Sequence, residues 1–290
     1  MITIFGEVLF DHFPDGSRVL GGAPFNVAWH LQAFGQYPQF ISRIGNDVEG
    51  QRITDAMHAW GMNLTFLQQD SSYPTGKVQV TLHKNEPTYA ILANQAYDQI
   101  DAINLSQLNN SGILYHGTLV TRTLQSKDTL RALKAAHQGK IFIDVNLRVP
   151  WWHKEDVLDL IKDTNWVKLN FEEFHALAKA SSDMTADIKS FLTDYNLEVL
   201  IVTYGEKGAI AYTLKNDTYS VSPTCTANVS DTVGAGDAFS AVLLLGLNLN
   251  WSLADTMTRA QAFASAMIEQ RGATVNDRNF YQNFIKAWSL

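Results

Sequence analysis

The 290-residue sequence predicts an α/β protein: an open, mostly parallel sheet with helices on both faces. Two observations carry this. Short apolar runs of strand length alternate with amphipathic stretches of helix length along most of the chain. The composition, 46% hydrophobic and 18% charged, suffices for one large core, and no linker, repeat or low-complexity segment divides it. Sheets of this kind bind ligands beyond the carboxyl ends of their strands, so residues just past predicted strands are the first candidates for chemistry.

Taken in order, the strand-length runs are Ile2–Gly6, Gln39–Ile44, Ile113–His116, Lys140–Val145, Trp166–Leu169 and Val199–Thr203. The helical stretches between and beside them are Pro24–Phe34, Gly50–Trp60, Ser126–Gln138, Lys154–Lys162, Glu172–Ala180 and Thr185–Tyr195. Phe239–Leu247 reads as a buried helix, and Leu253–Glu269 and Asp277–Trp288 are helical. One region breaks the alternation. Thr75–His83 and Thr88–Leu92 read as two strands around the turn Lys84-Asn85-Glu86-Pro87, and Val8–Phe13 adds a short strand before Pro14-Asp15-Gly16. On residues alone these could form a peripheral hairpin.

Composition excludes several function classes. The net charge of −7 has no long run of one sign, which speaks against a nucleic-acid partner. The single cysteine, Cys225, allows no intrachain disulfide. The start Met1-Ile2-Thr3-Ile4-Phe5-Gly6-Glu7 lacks a basic region, and the longest notable apolar run, Ala241–Leu247, is far below the ~20 residues of a membrane span. The expectation is a cytoplasmic protein without a membrane partner. The histidines form no metal-binding motif, so zinc is not expected.

The most informative stretch is Asp231-Thr232-Val233-Gly234-Ala235-Gly236-Asp237-Ala238-Phe239. Its glycines free a turn at a helix start, where unpaired N–H groups and the helix dipole favour an anion. The N–H groups of Ala235, Gly236 and Asp237 are the expected anion hole. Asp237 would repel a phosphate unless that phosphate meets a group that must lose a proton. Donors plus a carboxylate are what phosphoryl transfer to a hydroxyl requires. An ordinary helix start with a dipole-favoured acid is the alternative. No G-x-x-x-x-G-K-[ST] occurs, and no G-x-G-x-x-G follows the first strand.

These nine residues resemble the C-terminal signature of the ribokinase-like (PfkB) carbohydrate kinases. The N-terminal signature is also present: Gly21-Gly22-Ala23-Pro24-Phe25-Asn26-Val27-Ala28 leads to Gly35 and Gly45. The resemblance runs essentially end to end. Val242 departs from it, where the family usually has Gly or Ala. It implies one α/β kinase domain over 1–290, with an inserted β lid built from about 8–20 and 73–97.

The resemblance also implies roles. Asp237 is the expected base, with Gly234, Ala235 and Gly236 around the transferring group; Asp231 shapes the turn. Asn170-Phe171-Glu172-Glu173 matches the N-x-x-E motif that holds magnesium through water, although Asn170 and Glu173 equally read as a helix cap. Asp11 falls where fructokinase-like members place a carboxylate on sugar hydroxyls, and Gly21, Gly22 and Asn26 allow close approach and supply an amide. Asp144-Val145-Asn146-Leu147-Arg148 is similar to the D-x-N-x-R of fructokinase-like members, which gives Arg148 to the phosphate or the substrate. Thr203, Gly205 and Gly208 look like the T-x-G-x-x-G turn bordering the nucleotide, and Ala262, Ala266 and Gly272 lie where small residues flank adenine. Bland alternatives exist for each: a solvated loop acid, a surface arginine, a common turn, helix packing. Trp151-Trp152 reads as packing.

The implied ligands are ATP, magnesium, a small neutral sugar and, as a candidate activator, potassium; a homodimer is open. Glu7 to Asp11, Gly-Gly-Ala-Pro and D-x-N-L-R lean toward fructokinases. However, Tyr89 to Gln95 lacks the Arg that such members often carry there, which counts against an acid sugar and puts fructose itself in question. Alternatives are a kinase for ribose, aminoimidazole riboside or 2-keto-3-deoxygluconate, or a non-catalytic sugar-binding regulator.

Overall fold

Burial alternates along the central strands and assigns each residue to one of two cores. Ile2 and Ile4 pack on one face with Phe40, Tyr115, Phe142 and Ile201, while Phe5 faces the other with Ile41, Leu114, Ile143 and Val202. Strands buried on both faces need apolar residues at nearly every position, hence the near-continuous runs in the sequence. The computed structural model describes every residue except 84, 85, 104, 109, 180, 182 and 224–229. The predicted turn at Lys84-Asn85 and the lone Cys225 lie outside the described residues.

The large sheet has nine strands in the order β13 (Thr218–Val221), β12 (Ala209–Thr213), β11 (Val199–Thr203), β10 (Trp166–Asn170), β9 (Lys140–Asp144), β8 (Ile113–His116), β1 (Ile2–Phe5), β4 (Gln39–Gly45), β5 (Leu67–Asp70). From β11 to β5 all neighbours are parallel; β12 and β13 run antiparallel at one edge. One face packs on α1 (Ala23–Ala33), α2 (Val48–Trp60), α7 (Ala235–Asn248), α8 (Leu253–Met267) and α9 (Arg278–Trp288). The other packs on α3 (Leu124–Ala136), α4 (Lys154–Ile161), α5 (Phe171–Leu177) and α6 (Met184–Asp194).

A second sheet has four strands in the order β3 (Arg18–Gly21), β2 (Leu9–His12), β6 (Gly76–His83), β7 (Glu86–Ile91). Leu9, Val78, Ile91 and Tyr97 form its own small apolar cluster. It is tied down at its ends. Arg122 pairs with Asp98 at 2.7 Å and donates to the Leu92 carbonyl at 2.6 Å. Glu49 on α2 takes both His12 at 2.8 Å and Arg18 at 3.1 Å.

Four strands were not anticipated. β3, β5 and β13 are four residues long without a sustained apolar run, and β3 and β13 are largely exposed; β12, Ala-Ile-Ala-Tyr-Thr, is apolar, but two of its five residues are alanine, a weak strand former. Helix α7 begins at Ala235, four residues before its apolar stretch, because Gly234 in the left-handed region (φ 81°) starts the helix at the turn.

Candidate active site

Because β1 and β8–β11 are parallel, their carboxyl ends share one edge of the sheet. A cavity of about 650 Å³ opens there. The last residues of β9, β10 and β11 supply Asp144, Asn170 and Thr203, Lys168 comes from the middle of β10, and Glu7 follows β1. The amino ends of α1 and α7 close it below with Gly22, Asn26, Gly234, Gly236 and Asp237; Leu9, Asp11, Val78, Tyr89 and Ile91 of the small sheet flank it above. It stands at the point in strand order where the chain turns from β1 toward opposite edges, as open α/β sheets lead one to expect.

The α7 turn is fixed on both sides. Asp231 accepts from the Val233 N–H at 2.9 Å and the Gly272 N–H at 3.1 Å, so it shapes the turn. A Cβ at Gly234 would come within 2.5 Å of Ala273 Cα, and its φ is positive, so only glycine suits the position. Asp237 accepts from Asn26 Nδ2 at 2.8 Å, a bond linking the first turns of α1 and α7. Burial raises its carboxyl to about 6; the Asn26 bond opposes this, Asp144 adds to it, and Lys168 and Arg148 oppose it. Gly236 and Asp237 line the cavity. Ala235 does not, and its N–H reaches the Thr232 carbonyl at 3.4 Å.

Asp11 and Gly21 meet Asn26 beside this turn. A Cβ at Gly21 would sit 3.6 Å from Asp11 Oδ2 and 4.0 Å from Asn26 Oδ1. At Gly22 (φ 113°) it would strike the Glu7 carbonyl at 2.6 Å, so the glycine lets α1 begin against the end of β1. Burial raises Asp11 to about 6, against the charge of Arg148. Glu7, 4% exposed, has no hydrogen-bond partner for Oε2 among the described residues, and burial raises it to about 7. Arg148 is exposed at the cavity wall, and its charge opposes the rise at Glu7, Asp11 and Asp237 alike.

Asn170 and Glu173 form a reciprocal cap. The Asn170 side chain accepts from the Glu173 N–H, and Glu173 Oε2 accepts from the Asn170 N–H, each at 2.8 Å. Glu173 Oε1 takes the Leu147 N–H at 2.7 Å, tying the cap to the loop that carries Arg148. Both residues also line the cavity. Among the described residues no group of three or more His, Cys, Asp or Glu could hold a metal directly. A carboxylate engaged by backbone on both oxygens fits a hydrated magnesium ion, which keeps its waters, rather than direct ligation.

Of the residues expected near the nucleotide, Thr203 reaches the cavity. Gly205 and Gly208 form the turn beyond it, closed by a 2.8 Å bond between the Tyr204 N–H and the Gly208 carbonyl, and do not line it. Ala262 is exposed and Ala266 half-buried on α8, also outside the lining. Glu7, given no role of its own in sequence beyond the stretch Glu7 to Asp11, and Lys168, not singled out, lie within it. Glu7 lies just past the end of β1, a position that was an available signal, whereas Lys168 is the middle residue of β10 and carried none.

The sequence matches the pfkB family carbohydrate kinase pattern over residues 5–279. The chain belongs to this family. It is similar to Fructokinase-2 of Oryza sativa subsp. japonica, 30% identical over 271 residues, covering 85% of this chain and 80% of that protein. Among solved structures it resembles fructokinase from Vibrio cholerae O395 bound to fructose, ADP and calcium ion, with 25% identity, 97% of both chains covered and a TM-score of 0.80. The fold is shared with aminoimidazole riboside kinase from Salmonella enterica, at 22% identity, 94% of both chains and a TM-score of 0.80. This carbohydrate kinase is therefore fructokinase-like, with the ribokinase-like architecture. Among the described residues no helix is long and apolar enough to cross a membrane.

Proposed function

We propose that the enzyme transfers the γ-phosphoryl group of ATP to a primary hydroxyl of a neutral sugar, with fructose the first candidate. One observation carries the reading. A carboxylate held by an amide, Asp237, stands at the start of a glycine-turned helix in the same cavity as a second carboxylate, Asp11, suited to a diol.

The sugar binds between Asp11, Gly21, Gly22 and Asn26, under the small sheet acting as a lid. Its primary hydroxyl faces Asp237, which takes the proton as the oxygen attacks phosphorus. The N–H groups of Gly236 and Asp237 in the first turn of α7 receive the growing negative charge. Arg148 adds a guanidinium on the phosphate side. Magnesium, held through water at Asn170 and Glu173, would offset the charge of the ATP phosphates. Thr203 borders the nucleotide, with Gly205, Gly208, Ala262 and Ala266 further out. Potassium activation, a cytoplasmic setting and a homodimer belong to the same reading.

The wild-type protein, assayed for ATP-dependent ADP release across fructose, ribose, aminoimidazole riboside and 2-keto-3-deoxygluconate, tests this. Fructose should give the highest kcat/KM, and ADP release that no sugar stimulates would overturn the reading.

A further inference from the structure

Lys168 sits on β10, only 6% exposed, yet its ammonium reaches the cavity. A buried charge needs a partner, and Nζ donates to Asp144 Oδ2 at 2.7 Å. The same oxygen accepts from Ser240 Oγ at 2.6 Å. Ser240 lies four residues after Gly236, on the same face of α7. A Cβ built on Gly236 would stand 3.8 Å from Nζ, so the ammonium rests against the glycine turn itself. It has three donors, and Asp144 takes the one hydrogen bond it makes among the described residues. A strut serving only stability would gain little from an ion pair here, since desolvation offsets much of its attraction.

We propose that Lys168 is a catalytic residue whose ammonium contacts the transferring phosphoryl group above Gly236, and that Asp144, tied to Ser240, is the positioning residue that aims it. This rests on the kinase reading above. In the step, the sugar oxygen bonds to the γ-phosphorus, the bond from that phosphorus to the ADP oxygen breaks, and the hydroxyl proton passes to Asp237. The Lys168 ammonium holds the equatorial oxygens, working beside the α7 N–H groups.

The test compares wild type, Lys168→Met, Lys168→Arg and Asp144→Asn in the full chain. It measures kcat, the sugar KM, and calorimetric binding of ATP and of ADP without sugar. Sugar-dependent ADP release by wild type checks the kinase reading separately. For Lys168→Met, kcat should fall on the order of 100-fold or more, as for a lost oxyanion donor. The sugar KM should stay within about threefold, and ATP binding should weaken about fivefold or more while ADP binding holds. Lys168→Arg should recover part of kcat. A kcat above about a third of wild type, or equal weakening of ATP and ADP, would overturn the proposal. If Lys168→Met does not fold, Asp144→Asn decides: a drop in kcat of about tenfold supports aiming by Asp144, and an unchanged kcat refutes it.

Discussion

At Asp237, exchanging one oxygen for an NH₂ group separates charge from shape. Asp237→Asn should lower kcat by about 100- to 10,000-fold and leave ATP binding nearly intact. The raised carboxyl also sets a pH limit. A base must be ionised, and burial moves Asp237 from its ordinary 3.8 to about 6, so kcat/KM should fall as pH drops through that value. A profile that stays flat down to about pH 4.5 would remove Asp237 from the role. Glu173 invites a two-sided measurement, since cap and metal site use the same atoms. Glu173→Ala should cost ~1 kcal/mol or more of stability as a lost cap and also raise the magnesium needed for half-maximal rate. A shifted melting point with an unmoved magnesium curve leaves only the cap. That Asp237 and Asn26 line the cavity was legible in sequence because their motifs fix them within a few residues of a glycine turn; Asp11 was placed there by the resemblance alone. Lys168 was not legible, because a lysine inside an apolar strand becomes informative only when Asp144, from another strand, is seen to pair with it.

Among the elements, α7 carries the site and is itself carried by α8. The two meet at Gly246, where a Cβ would fall 2.4 Å from Thr256 Oγ1. Gly246→Ala should therefore force them apart and lower stability by about 1–3 kcal/mol, read from urea unfolding. Val242, the departure from the family pattern, is 0% exposed, so its extra methyl groups fill core rather than crowd the cavity. The main strands and helices were readable to within a few residues because parallel strands buried on both faces and amphipathic helices leave strong periodicities. The edge strands β12 and β13 were not. Antiparallel pairing, as of Val202 with Ile210, stabilises them through a partner that local sequence does not reveal.

Across the whole molecule, charge distribution should decide the substrate. Arg122 reaches the end of the small sheet near the stretch that lacks a cation in sequence, but Asp98 neutralises it in a buried pair, with side chains 3% and 1% exposed. Of the basic side chains at the cavity, Lys168 is paired with Asp144 and Arg148 faces Glu7, Asp11 and Asp237. A sugar carboxylate bound beside Asp11 would meet like charge and burial together, a cost of several kcal/mol. In a competition assay at equal concentrations, fructose should outcompete 2-keto-3-deoxygluconate by on the order of 100-fold or more. Preference for the keto-acid would show that Arg148 serves the substrate rather than the phosphate.

The hydrogen bond between Asn26 and Asp237 bears on fidelity. With Oδ2 held by the amide at 2.8 Å, the carboxylate cannot swing freely toward whatever oxygen arrives. Water is small and abundant and can also attack phosphorus, so an untethered base would waste ATP. With Asp237 as the proposed base, the tether would make futile hydrolysis depend on a rare alignment. Asn26→Ala should therefore raise the ratio of sugar-independent to sugar-dependent ADP release, even as total turnover falls. A ratio that does not change would mean that the bond serves the fold and not the economy of the reaction.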